Sequence, residues 1–168
     1  MRFVYLLRHA KSSWTTGVPD HERPLAPRGR RAAKAIRRHL QEQGIEPELV
    51  LCSTARRARE TLERIEPALG TPAVRIEREL YGASGDALLE RLRSVPDDVG
   101  SVMLIGHNPG LQLLALGLAQ PVAALHELEA KYPTAALVTL SFRGPSWRLI
   151  EPATARLVGF VRPRDLVS

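Results

Sequence analysis

The sequence predicts a three-layer α/β/α sandwich around a mostly parallel central sheet. Two observations point there. Short apolar runs alternate with longer segments of helical period through most of the 168 residues, the pattern of strands joined by crossover helices. The last two runs are separated only by the turn formers Arg143-Gly144-Pro145-Ser146, which read as an antiparallel hairpin along one edge. The chain is long enough for a real core and shows neither repeat nor low-complexity linker, so one domain over 1–168 is expected.

Val4-Tyr5-Leu6-Leu7 reads as the first buried strand. Residues 12–24 are polar, rich in turn formers and without helical period. They form a loop, with Trp14 expected to anchor it to the body. A helix over 28–43 follows. Pro27 suits its first turn, Ala32, Ala35, Ile36 and Leu40 make an apolar stripe, and Gly44 ends it. Leu49-Val50-Leu51-Cys52 is the second strand. Ser53 or Thr54 caps a helix over 55–66 with the stripe Ala55, Ala58, Leu62 and Ile65. Residues 73–76 make a short third strand, and Asp86 caps a helix ending near Leu92. Val102-Met103-Leu104-Ile105 is the clearest central strand. One helix starts at Leu111 and another covers 122–129. Residues 135–142 read as a strand with 147–150 as its hairpin partner, and 158–161 as a short edge segment or surface packing.

Composition narrows the classes. Apolar residues make up 44%, and no run approaches the ~18 residues that span a membrane. No small-residue cleavage site follows the first apolar run, so no signal peptide is expected. The lone Cys52 cannot close an intramolecular disulfide and fits a reducing, cytoplasmic setting. A monomer is expected. The net charge of +6 permits nucleic-acid binding. Arg28, Arg30, Arg31, Lys34, Arg37 and Arg38 cluster on one helix, but no aromatic interleaving or basic motif accompanies them. A solvated face or an anionic substrate explains them equally, and no nucleic acid is expected. Neither the dinucleotide glycine fingerprint nor a P-loop is present.

In an open α/β sheet, ligands gather at the carboxyl ends of the strands. Three polar groupings fall there: Arg8-His9, Ser53 to Arg57, and Gly106-His107-Asn108. Histidine transfers protons or attacks electrophiles near neutral pH. Arginine forks match the planar spread of phosphoryl oxygens. Together they read as a phosphate-transfer site without metal. Plainer readings stand beside this one. Either histidine is a strand-end surface residue, and Arg56, Arg57 and Arg59, at a helix end that favours anions, are solvated or serve one. A metal on His9 and His107 lacks an obvious third ligand. Asp20, His21 or Glu22 would have to supply it, next to arginines that repel a dication. No metal and no cofactor are expected.

The stretch Leu6-Leu7-Arg8-His9-Ala10-Lys11-Ser12-Ser13-Trp14 resembles the opening of the histidine phosphatase superfamily. Asp20-His21-Glu22-Arg23-Pro24-Leu25, Gly29, Ser53-Thr54-Ala55-Arg56-Arg57-Ala58 and Gly106-His107-Asn108-Pro109-Gly110 extend the likeness over nearly the whole chain. Within the superfamily it is similar to the small bacterial phosphohistidine phosphatases. The resemblance implies a phosphoglycerate mutase-like fold and a nucleophilic His9 that becomes a covalent phosphohistidine. It implies that Arg8, Arg56 and a protonated His107 surround the phosphoryl group, with Arg57 ranked after Arg56 and with Arg23 and Asn108 as further binding candidates. The expected reaction is hydrolysis of phosphohistidine. The expected partner is a phosphohistidine-bearing signalling protein, or else a small phosphate ester. A broad small-molecule phosphomonoesterase is the rival within the class. A non-catalytic module binding phosphate or nucleic acid is the rival outside it. The mutases of the superfamily are longer, and this chain has no room for their lid.

Two departures stand out. Ala10 replaces the superfamily's usual glycine. Arg78 occupies the position where many relatives carry a general acid, which makes the neighbouring Glu79 the candidate. Alternatively no strong acid is needed, because an imidazole leaving group departs already protonated.

Overall fold

The structure, a computed structural model, describes residues 1–166; the last two positions of the expected domain lie outside them. Six strands form one sheet: β1 (Arg2–Arg8), β2 (Leu49–Ser53), β3 (Ala73–Glu77), β4 (Ser101–Gly106), β5 (Leu137–Phe142) and β6 (Arg156–Val161). Their order is β3-β2-β4-β1-β5-β6. The first four are mutually parallel, and β5 runs antiparallel to both β1 and β6. The three-layer α/β fold is therefore as expected, but the antiparallel strand is internal and the edge strand β6 returns to the common direction.

Helices α1 (Pro27–Gln43), α2 (Arg56–Ile65), α3 (Gly85–Arg93), α4 (Gly110–Leu118) and α5 (Leu125–Ala130) cover the sheet. The strands divide their side chains between two cores. Leu7, Met103 and Ile105 meet Ile36, Leu40, Leu62 and Ile65 of α1 and α2. Val4, Leu6, Val102 and Leu104 meet Leu88, Leu92, Leu111 and Leu114 of α3 and α4. Burial on both faces is why these strands read as continuous apolar runs. Among the described residues no helix is long and apolar enough to cross a membrane.

Local departures have local causes. Residues Trp147–Leu149 are a 3₁₀ turn, not a strand. The Trp147 ring is wholly buried edge-on to Phe142, and its indole N–H donates to the Val99 carbonyl at 2.6 Å. That plug turns the chain away, and β6 takes the hairpin position instead. Ser84, not Asp86, caps α3, accepting from the Ala87 N–H. The α1 stripe runs through Gly29, Ala33, Ile36 and Leu40, with Ala33 in place of Ala35. Ala55 occupies the N-cap of α2 without a side-chain cap, while Ser53 accepts from the Ala55 N–H.

Two features set the site. A Cβ on Gly29 would fall 2.0 Å from the Lys11 carbonyl oxygen, so α1 lies directly against the loop leaving β1. The Ala26 N–H donates to that same carbonyl at 2.9 Å. The register Arg8↔Gly106 then aligns the ends of β1 and β4, and β2 ends beside them at Ser53. Because β5 starts and β6 ends at this edge, residues 132–136 and 162–165 border it as well.

Candidate active site

His9 sits just beyond β1. Its backbone N–H donates to Gly106 at 3.0 Å, and the Ala135 N–H is shared by the Arg8 and His9 carbonyls. The Nδ1 atom lies 2.7 Å from the Ala10 carbonyl oxygen. A carbonyl only accepts, so Nδ1 holds the proton and Nε2 presents its lone pair. That lone pair faces the Nε–H of Arg57 at 3.3 Å. Burial pushes the His9 pKa down to about 3, and His107, Arg57 and Arg8 act in the same direction. The imidazole is thus neutral at pH 7, as an attacking nitrogen must be.

His107 approaches from the end of β4, its ring centroid 5.1 Å from that of His9. Its Nε2 pairs with the Ser53 hydroxyl at 2.7 Å. Burial, followed by the charge of Arg57, lowers its pKa to about 4. The expected protonated His107 is therefore corrected to a neutral imidazole in the ligand-free protein. Its Nδ1 is buried and has no hydrogen-bond partner among the described residues, and neither has Nε of Arg8. Two unsatisfied buried nitrogens beside His9 are costly unless an anion completes them.

Arg57 is buried and clamped, its two terminal nitrogens donating to the Asp20 carbonyl at 2.8 Å and to its carboxylate at 3.1 Å. Asp20 also accepts from Arg23 and from the Tyr81 hydroxyl. The Tyr81 hydroxyl, with the two arginines, holds the Asp20 pKa down at about 2. Tyr81 stands edge-on to both His107 and His21, and His21 reaches Thr54 at 2.9 Å. Arg23 donates to Ser12 at 2.7 Å and lies under the Trp14 ring at 3.5 Å. Trp14 itself is exposed, and its contact with the body is this stacking on the buried Arg23. The resulting cavity of about 240 Å³ is lined by Arg8, His9, Arg23, Arg57, His107 and Asn108, together with Lys11, Ser12, Trp14 and Thr134, and by no carboxylate.

A family model for the histidine phosphatase superfamily (branch 1) matches residues 4–84. Rv1276c of Mycobacterium tuberculosis is 40% identical over 162 residues, covering 94% of this chain and 100% of the relative. The chain belongs to the histidine phosphatase superfamily. Its likeness extends to the SixA-like phosphohistidine phosphatases. A candidate phosphohistidine phosphatase SixA from Nakamurella multipartitia shares 32% identity and a TM-score of 0.84, covering 96% of each chain. Its counterpart from Agrobacterium tumefaciens shares 30% and 0.83, covering 96% of this chain and 98% of that one. Membership, with the likeness to the SixA structures, is consistent with a hydrolase of the phosphatase class.

The histidine phosphatase site gathers most of the expected residues and excludes two. His9, Arg8, His107, Arg57, Arg23 and Asn108 all line the cavity. Asn108 also ties it together, donating to the Tyr132 carbonyl and accepting from the Gln112 N–H. Arg56 does not join them. It is exposed and paired with Glu60 at 3.0 Å, so the ranking of Arg56 over Arg57 is reversed. Glu79 is exposed on a 3₁₀ turn, Arg78–Leu80, away from the cavity lining, and Glu77 is locked to Arg91 at 2.6 Å. Asp20 and Tyr81 are the residues sequence reasoning missed as positioners. The signal was present: Asp20 is an acid in a loop bordering a cluster of arginines. Among the described residues no group of three or more His, Cys, Asp or Glu is placed to hold a metal.

The two depressed imidazoles set a stability prediction. Their folded pKa values lie below the ordinary 6.5, so between those limits the unfolded chain binds more protons. Stability is fully present above about pH 6.5 and drains away as pH falls through 4 and towards 3. The urea midpoint is expected to drop over that window, with a shallower slope in His9→Gln. A midpoint independent of pH from 7 to 4 would contradict the neutral, buried pair.

Proposed function

We propose that the chain is a metal-independent phosphohistidine phosphatase working through a covalent intermediate on His9. The observation that supports this choice within the phosphatase class is the cavity wall, which carries histidines and arginines but no carboxylic acid. The nearest carboxylate, Asp20, is held ionised by Tyr81, Arg57 and Arg23. An alkyl phosphate expels an alkoxide and needs a positioned acid. Phosphohistidine protonated on its distal nitrogen expels a neutral imidazole and needs none.

In the first step, Nε2 of His9 attacks phosphorus as the substrate N–P bond breaks and its electron pair returns to the leaving imidazole. The proton stays on Nδ1, which keeps donating to the Ala10 carbonyl. Arg8, Arg57 and His107 supply the donors for the equatorial oxygens. Water then attacks phosphorus, the Nε2–P bond breaks, and dihydrogen phosphate leaves with both water protons. His9 returns to its starting tautomer.

The test is a substrate panel in EDTA: a phosphohistidine peptide, an aryl phosphate and an alkyl phosphate. The phosphohistidine peptide is expected to exceed the alkyl ester in kcat/KM by about 100-fold or more, the scale of one general acid. Equal turnover of all three would support the broad phosphomonoesterase. Loss of activity in EDTA would overturn the metal-free mechanism.

A further inference from the structure

A second, larger groove opens beside the catalytic cavity at the same edge of the sheet. Its volume is about 710 Å³, against about 240 Å³ for the cavity, and the two share Arg8, Lys11 and Thr134 as a common wall. Its charge is one-sided. Arg8, Lys11, Arg28, Lys131, Arg162 and Arg164 line it, against the single carboxylate Glu127. Arg162 is engaged by Asp165 and by Glu127. Lys11, Arg28, Lys131 and Arg164 make no ion pair among the described residues. The proposed chemistry at His9 does not use these charges.

We propose that this groove docks an acidic protein segment flanking the phosphohistidine, so that the substrate is presented by a protein of negative surface charge. The proposal rests on the phosphohistidine reading above. The groove adjoins the cavity across that wall, so a chain whose histidine reaches His9 has this groove as its neighbouring surface. Its cations come from four separate segments: the loop after β1, the start of α1, the connection between α5 and β5, and the turn after β6. Such a spread suits several carboxylates along a peptide better than one compact anion, which would call for converging donors. Between the charges lie Ala32, Ala130, Pro133 and Pro163, an apolar floor for peptide stems. No aromatic ring lines the groove, so it lacks the stacking platform that single-stranded nucleic acid uses.

The proposal also assigns Arg28, in the first turn of α1, a role that catalysis leaves unexplained. Long cations around a groove raise the encounter rate of an oppositely charged partner and make it salt-dependent.

The experiment uses two synthetic phosphohistidine peptides, one flanked by Asp and Glu, the other by Ala and Gln, with an aryl phosphate as a small control. The full chain is compared with the triple variant Arg28→Glu, Lys131→Glu, Arg164→Glu. The wild type is expected to show a KM about tenfold lower for the acidic peptide, an advantage that fades as salt rises from 50 to about 500 mM. The triple variant is expected to lose that advantage while keeping wild-type turnover of the aryl phosphate, which also shows that it folds. A wild type indifferent to the flanks overturns the groove proposal and leaves the phosphohistidine reading standing. Hydrolysis of the aryl phosphate with neither peptide cleaved overturns both. An unchanged peptide preference in the variant also overturns the proposal.

Discussion

Arg57→Ala is expected to lower kcat/KM by about 10²–10³, the usual cost of removing one preorganised donor from a developing oxyanion. Arg56→Ala is expected to stay within about threefold of wild type, because an exposed i,i+4 pair contributes little. The asymmetry follows from placement. Arg57 is buried, its Nε faces the His9 lone pair at 3.3 Å, and Asp20 holds its other nitrogens. Arg56 turns outward to Glu60. Arg57→Lys separates charge from geometry. It keeps the cation but cannot span Asp20 and His9 together, so an intermediate loss of about tenfold is expected. Steady-state kinetics on an aryl phosphate, with the melting temperature as a folding control, decide the matter. A large loss in Arg56→Ala with a silent Arg57→Ala would restore the order implied by the resemblance.

The misranking shows what a sequence reading resolves and what it does not. Strand ends are sharp in the sequence, because an apolar run gives way to Arg8-His9 or to Gly106-His107. Those residues were legible because β1 and β4 are buried on both faces. A helix start is less sharp. One residue is 100° of rotation, enough to carry Arg56 outside while Arg57 points in. The recognised stripe of Ala55, Ala58, Leu62 and Ile65 did not include Arg57 or Thr61, yet Arg57, Thr61 and Ile65 follow one another at i+4 on the buried side, whereas Arg56 leads to Glu60. Thr61 reinforces it, accepting from the Ala10 N–H and donating to the Arg57 carbonyl.

Glu79 failed for a different reason. The 3₁₀ turn Arg78–Leu80 buries Leu80 and leaves Glu79 in solvent, and such turns have no strong apolar period to reveal them. The hairpin partner failed because burial of one bulky residue outweighed pattern. Trp147 and Ile150 are buried inside a turn, while the true strand β6 is only partly covered and contains Gly159. Asp20 and Tyr81 lie 61 positions apart, and only the assembled sheet brings them to Arg57.

His9→Ala is expected to reduce kcat by about 10⁴ or more, since a nucleophile acts as a unit with its surrounding donors. Loss of activity alone would not separate a nucleophile from a general base, so the product of a rapid quench is the sharper measurement. Wild type mixed with a labelled phosphoryl donor is expected to yield an acid-labile, alkali-stable phosphoenzyme, absent from His9→Ala. The geometry also points to the nitrogen expected to carry the label. Nδ1 donates to the Ala10 carbonyl at 2.7 Å, so only Nε2 has a lone pair for phosphorus, and the phosphorus NMR shift should be that of the Nε2 isomer. A label on Nδ1 would mean that the Ala10 contact breaks before attack, and a label on His107 would exchange the roles of the two histidines. Burial supports the assignment. With a pKa near 3, His9 is neutral throughout the physiological range, and its attack should show no loss of rate from its own protonation down to about pH 4.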